Sequence, residues 1–128
     1  MGTRIEDEVA LLRRHFGDLE YRPDGQWIRL PRYHLPELWE PAEAALCFQV
    51  PVQYPASPPY GFYVSPAPRL KSGAPLQNCA PSSEPPFPGA WIKFSWSARE
   101  WQPTADLQSG SNLLNYVWSF RDRLDEGA

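Results

Sequence analysis

The chain has 128 residues, 42% of them apolar and 21% charged, which suits one domain with its own hydrophobic core and leaves no length for a second. Its 12 basic and 15 acidic side chains give a net charge of −3, which argues against nucleic acid as a main partner, because phosphate binding needs clustered Lys and Arg. No apolar run approaches the roughly 20 residues of a membrane span, and residues 1–8 are charged, so a cytoplasmic protein with no membrane partner is expected.

Residues 3–16 open the chain with Thr3 and Glu6 at capping-box spacing. Ile5, Val9, Leu12 and Phe16 then form one apolar stripe, Glu6, Asp7, Arg13 and Arg14 lie off it, and Gly17 supplies a stop. This predicts an amphipathic helix. Residues 19–22 and 26–30 flank Pro23-Asp24-Gly25, a turn triplet, and read as a hairpin. After a loop at 31–44, the apolar run 45–50 and the aromatic and β-branched run 60–64 suit two more strands, giving a four-stranded antiparallel meander.

Proline then dominates: 11 of the 16 lie between Pro51 and Pro88. Proline fixes φ and removes a ladder donor, so residues 65–88 are expected to be largely loop. Residues 91–96 fit a short strand or an extended segment. Ser111 caps a final helix with apolar positions Leu113, Leu114, Val117, Trp118, Phe120 and Leu124. The expected architecture is α+β: helix, meander, long loop and helix, in a single domain over residues 1–128.

Two cysteines, Cys47 and Cys79, with His15 and His34, are too few and too widely spaced for a disulfide framework or a zinc cage. Phosphate-loop, dinucleotide and serine-elbow motifs are missing as well. Neither metal nor cofactor is expected. Cys47, inside an apolar run, reads as a small hydrophobe. His15 and His34 read as structural, and Trp91, Trp96 and Trp101 as core.

Tyr54-Pro55-Ala56-Ser57-Pro58-Pro59 follows one strand and precedes another, Cys79 stands 20 residues after Pro59, and Trp101-Gln102-Pro103 leads to the last helix. In this order of elements the chain resembles the ubiquitin-conjugating enzyme superfamily, in particular its compact bacterial branch. The resemblance implies a ubiquitin-conjugating-like fold in which Cys79 carries a ubiquitin-like protein as a thioester and passes it to an amine of a protein substrate. It also implies three partners: a ubiquitin-activating-like enzyme, the ubiquitin-like protein and a JAB-type isopeptidase. Arg4, Arg13 and Arg14 on the first helix, with Pro58 and Pro59, become candidate partner-binding residues.

The superfamily's His-Pro-Asn has no counterpart here, since residues 65–71 contain neither His nor Asn. Gln77 and Asn78, beside the cysteine, are the candidate substitutes for the oxyanion donor, Asn78 first. Glu84, Glu100 and Asp106 are candidates for the acidic residue that steers the incoming lysine, and Arg69 and Lys71 for cations that favour the thiolate where the loop folds back near Cys79. The thiol suits this chemistry because it is nucleophilic and exchanges acyl groups between thioesters with little change in free energy. The competing expectation is a binding module of the same fold, holding a ubiquitin-like protein or a conjugation partner without catalysis.

Overall fold

A computed structural model of the chain describes residues 4–54, 56–76, 79–97, 101–102 and 110–126. Helix α1 (Arg4–Phe16) is followed by strands β1 (Glu20–Arg22), β2 (Trp27–His34), β3 (Trp39–Glu40), β4 (Glu43–Gln49), β5 (Tyr60–Ser65), β6 (Arg69–Leu70), β7 (Cys79–Ser82) and β8 (Trp91–Ser97), and by helix α2 (Leu113–Glu126). The main sheet has six antiparallel strands in the order β1-β2-β4-β5-β8-β7, and β3 pairs with β6 separately.

The sheet therefore exceeds the four strands expected. Residues 91–97 are a full strand, and the long proline-rich stretch contributes β6 and β7. Strand β7 holds Pro81, which has no N–H to give a second neighbour, and it lies at the sheet's edge, where proline is tolerated. The expected loop at 31–44 shortens similarly: β2 runs on to His34 through a register shift between Leu30 and Tyr33, where Pro31 sits.

Alternation sorts the strands into two faces. Leu46 and Phe48 of β4, Phe62 and Val64 of β5 and Phe94 of β8 join Val9 and Leu12 of α1 and Leu113, Tyr116, Val117, Phe120 and Leu124 of α2 in the main core. Both helices thus cover one face. On the other, Trp27, Cys47, Tyr63 and Trp91 form a second cluster with Phe87 packed against it. Helix α1 stops where expected: Gly17 takes φ +70° and its N–H donates to the Arg13 carbonyl at 3.0 Å. Its expected cap, Thr3, lies outside the described residues.

Two details of α2 differ from expectation. The cap is Asn112, whose side-chain oxygen accepts from the Asn115 N–H at 2.8 Å while Asn115 accepts from the Asn112 N–H at 3.2 Å. Ser111 pairs with Gln102 instead, its N–H donating to the Gln102 carbonyl and its hydroxyl accepting from the Gln102 N–H, both at 2.9 Å. Trp118 is not core: it is 51% exposed with His15 edge-on against it, and Tyr116 is buried instead.

A buried carboxylate fixes how α2 sits. Glu8 of α1 accepts from the Leu113 N–H at 2.6 Å, has the Tyr54 hydroxyl within 2.6 Å, and accepts from Arg4 Nε at 2.8 Å. An anion at a helix N-terminus satisfies an orphan donor and meets the positive end of the dipole. At the far end, Trp39 Nε1 donates to the Leu124 carbonyl at 2.7 Å, so α2 is pinned at both termini. Glu8→Ala strands several buried donors at once and is expected to cost about 3 kcal/mol, Glu8→Gln about half of that, read as lowered urea midpoints at unchanged slope.

Candidate functional site

Cys79 opens the edge strand β7 and lies opposite Phe94 of β8. Directly opposed residues of an antiparallel pair project to the same face, so the thiol shares the helix-covered face with Phe94. It is half-buried and packs against the main core. Burial pushes its pKa above the ordinary 9.0, and the Arg123 guanidinium of α2 pulls the other way. Cys47 contrasts with it. Set in β4 between β2 and β5, it is fully buried, and burial drives its thiol strongly upward against the weaker pull of Arg29.

Arg123 is itself buried, 3% exposed, with its guanidinium carbon 5.2 Å from the centre of the Phe94 ring. Cys79 and Arg123 therefore meet the same aromatic side chain from β7 and from α2. No sequence motif points to Arg123. Its signal is placement: it falls three residues after Phe120 and seven after Tyr116, on the buried stripe of α2, where an apolar residue is the rule. Glu8 carries the same signal on α1, four residues before Leu12.

The residues expected near the thiol are scattered. Arg69 pairs with Glu40 at 3.0 Å on the small β3–β6 sheet, and the Lys71 N–H donates to the Leu38 carbonyl at 2.9 Å. The cation that opposes burial at Cys79 is Arg123, on the final helix. Glu84 accepts from the Tyr63 hydroxyl at 3.0 Å and lies 3.6 Å from Lys93 Nζ. Lys93 is opposite Ala80, one step from the Cys79–Phe94 pair, so alternation turns it to the other face. A shallow cavity of ≈ 300 Å³ runs along this edge, lined by Cys79 through Ser82 with Glu84, Lys93 and Ser95. Gln77, Asn78, Glu100 and Asp106 lie outside the described residues.

The Tyr-Pro-x-x-Pro-Pro and Trp-x-Pro elements meet in space: the Tyr54 and Trp101 rings are 5.8 Å apart, though Pro55 and Pro103 lie outside the described residues. Burial and the Glu8 carboxylate push the Tyr54 phenol upward, so it remains a donor. Pro59 is buried and Pro58 half-buried, Arg13 and Arg14 are exposed, and Arg4 holds Glu8 and approaches the Ser111 carbonyl at 3.5 Å. Among the described residues there is no cluster of three or more potential metal-ligating His, Cys, Asp or Glu, and no helix is long and apolar enough to cross a membrane.

The sequence model for prokaryotic E2 family E matches residues 5–115, from α1 to the first turn of α2. No curated protein and no solved structure matched the chain.

In the native protein, iodoacetamide is expected to modify Cys79 and to leave Cys47 intact until the chain unfolds. Because burial outweighs Arg123 at Cys79, its rate at pH 7 falls below that of a free cysteine and keeps rising as the pH passes 9. Peptide mapping checks the site, and equal labelling of both thiols in the folded protein contradicts the geometry.

Proposed function

Because the chain belongs to prokaryotic E2 family E, a bacterial ubiquitin-conjugating-like family that works in general with ubiquitin-like proteins and their activating enzymes, we propose that it carries a ubiquitin-like protein as a thioester on Cys79 and transfers it to an amine. The observation that carries this reading is the half-buried Cys79 thiol at the free edge of the sheet, while Cys47 is sealed inside.

In the loading step the Cys79 thiolate attacks the carbonyl carbon of the thioester on the activating enzyme. A new C–S bond forms, the old one breaks, and the activating enzyme's thiolate leaves. In the second step the lone pair of a neutral amine attacks the same carbonyl, a C–N bond forms, the Cys79 thiolate is expelled, and the amine's proton passes to solvent. The amide product is more stable than the thioester, so transfer runs downhill. Donors near the tetrahedral oxygen lower the barrier of both steps. Asn78, next to the sulfur in sequence, is the candidate donor, and Asn78→Ala tests it by slowed release to free lysine.

Arg13 and Arg14 project from the exposed side of α1, and a cationic pair there fits a docking contact for the activating enzyme. Reversing both charges is expected to slow loading roughly tenfold while release of a preloaded adduct to free lysine keeps its rate, since rim charges act mainly on association. Equal slowing of both steps removes Arg13 and Arg14 from docking.

The deciding experiment mixes the protein with its activating enzyme, the ubiquitin-like protein and ATP, and resolves adducts with and without reductant. Wild type is expected to give a reductant-sensitive adduct, Cys79→Ser a reductant-resistant oxyester, and Cys79→Ala none. A reductant-sensitive adduct on Cys79→Ala moves the acceptor elsewhere. Absence of any adduct on wild type leaves a binding module of the same fold.

A further inference from the structure

We infer that Arg123 is the positioning residue of this site, a cation on the last helix that sustains negative charge on the Cys79 sulfur. The inference rests on the reading of Cys79 as the acyl acceptor, and it assigns to α2 an electrostatic role that the Tyr-Pro and Trp-x-Pro motifs do not foreshadow.

The first support is direction. An arginine near a helix C-terminus interacts favourably with the helix dipole from an exposed position, so the dipole alone gives no reason to bury it. Arg123 is nevertheless only 3% exposed and turned onto the sheet, in a place where Phe120 and Tyr116 prescribe an apolar side chain. A buried guanidinium loses hydration, and its charge acts on its neighbours with less solvent screening than an exposed one does.

The second support is the shared neighbour. The guanidinium lies 5.2 Å from the Phe94 ring centre, and Phe94 is the cross-strand partner of Cys79, so both groups stand on one face of one residue pair.

The third support is the placement, among the described residues, of the other charges at this edge. From β8, Lys93 turns to the opposite face and lies 3.6 Å from Glu84, which follows β7. From α2, Asp122 is exposed, and Arg121 pairs along the helix with Asp125 at 3.9 Å. Arg69 is taken by Glu40 on the small sheet. Burial raises the Cys79 thiol and Arg123 is the charge opposing it. The sulfur of a thioester carrier is both attacking and leaving group, and a fixed cation beside it favours the thiolate in each role.

The test follows alkylation of Cys79 against pH, resolved by peptide mapping, in wild type, Arg123→Met and Arg123→Lys. Loss of the cation is expected to move the Arg123→Met midpoint upward by about one pH unit, a roughly tenfold slower reaction at pH 7, while Arg123→Lys stays within about threefold of wild type. Superposed profiles in a folded Arg123→Met, or an equal displacement in both variants, overturn the inference.

Should Arg123→Met not fold, wild type alone decides. Anionic and cationic methanethiosulfonates are compared on Cys79 and on free cysteine. A cation beside the sulfur raises the anionic-to-cationic rate ratio several-fold over the free thiol at low salt, and a ratio equal to that of free cysteine overturns the inference. Alkylation reads the sulfur's environment and adduct formation reads its use. A charge-dependent profile without an adduct therefore ends the carrier reading and leaves the Arg123–Cys79 pairing standing.

Discussion

A single buried carboxylate joins segments that the chain order keeps far apart. Glu8 sits in the middle of α1, Tyr54 in the turn before β5 and Leu113 at the start of α2, and all three meet through hydrogen bonds of 2.6 Å. A carboxylate that is 1% exposed is sustainable only when donors replace its lost water. Here a phenol, a helix N-terminal amide and an arginine do so. The tyrosine of the Tyr-Pro motif thus earns its place as a donor to α1, and the Trp101 ring packed against it brings the Trp-x-Pro element to the same point.

What happens at this end of α2 sets what happens at the other. A helix of 14 residues spans about 21 Å, and with its first amide held by Glu8 and its last-turn carbonyl held by Trp39, its rotation about its own axis is fixed. That rotation turns Tyr116, Phe120, Leu124 and Arg123 toward the sheet. The Tyr116 hydroxyl donates to the Gly61 carbonyl at 2.9 Å, at a register shift in β5 where glycine takes φ +75° and a Cβ would stand 3.0 Å from the Phe94 carbonyl oxygen. Glycine at 61 therefore allows β5, β8 and α2 to approach closely beside the residue that Cys79 and Arg123 share.

Much of this was legible in the sequence, for identifiable reasons. The α1 stripe and the Pro-Asp-Gly turn are strong local signals, and both elements stand where those signals put them. Strands β6 and β7 were hidden because two residues, or four interrupted by a proline, show no alternation. The α2 cap was displaced by one residue because Ser111 and Asn112 are both good caps, and only Asn115 three residues on distinguishes them. Trp118 fits the helical spacing of the apolar positions yet is exposed, because so many apolar residues on one helix broaden the stripe until it loses discrimination. Glu8 and Arg123 were the costlier misses. Each is a charge on an apolar stripe, a local conflict whose resolution needs partners from other elements, and periodicity within one helix carries no information about those.

The two cysteines show how much of the site depends on strand position rather than residue type. Cys47 occupies β4, which is hydrogen-bonded on both sides, and Trp27, Tyr63 and Trp91 close over it on the sheet's second face. Cys79 occupies β7, which has β8 on one side and, among the described residues, no strand beyond it in the sheet. Proline decides the difference. Pro81 can pair with Ile92 yet supplies no donor for another strand, so the sheet ends at β7, and a cysteine two residues before that proline is left on the margin. On the margin Cys79 stays partly exposed while it pairs across the strands with Phe94 and packs against the core. A residue on the margin has solvent on one side of its strand and the core on the other, an arrangement that an interior strand does not provide.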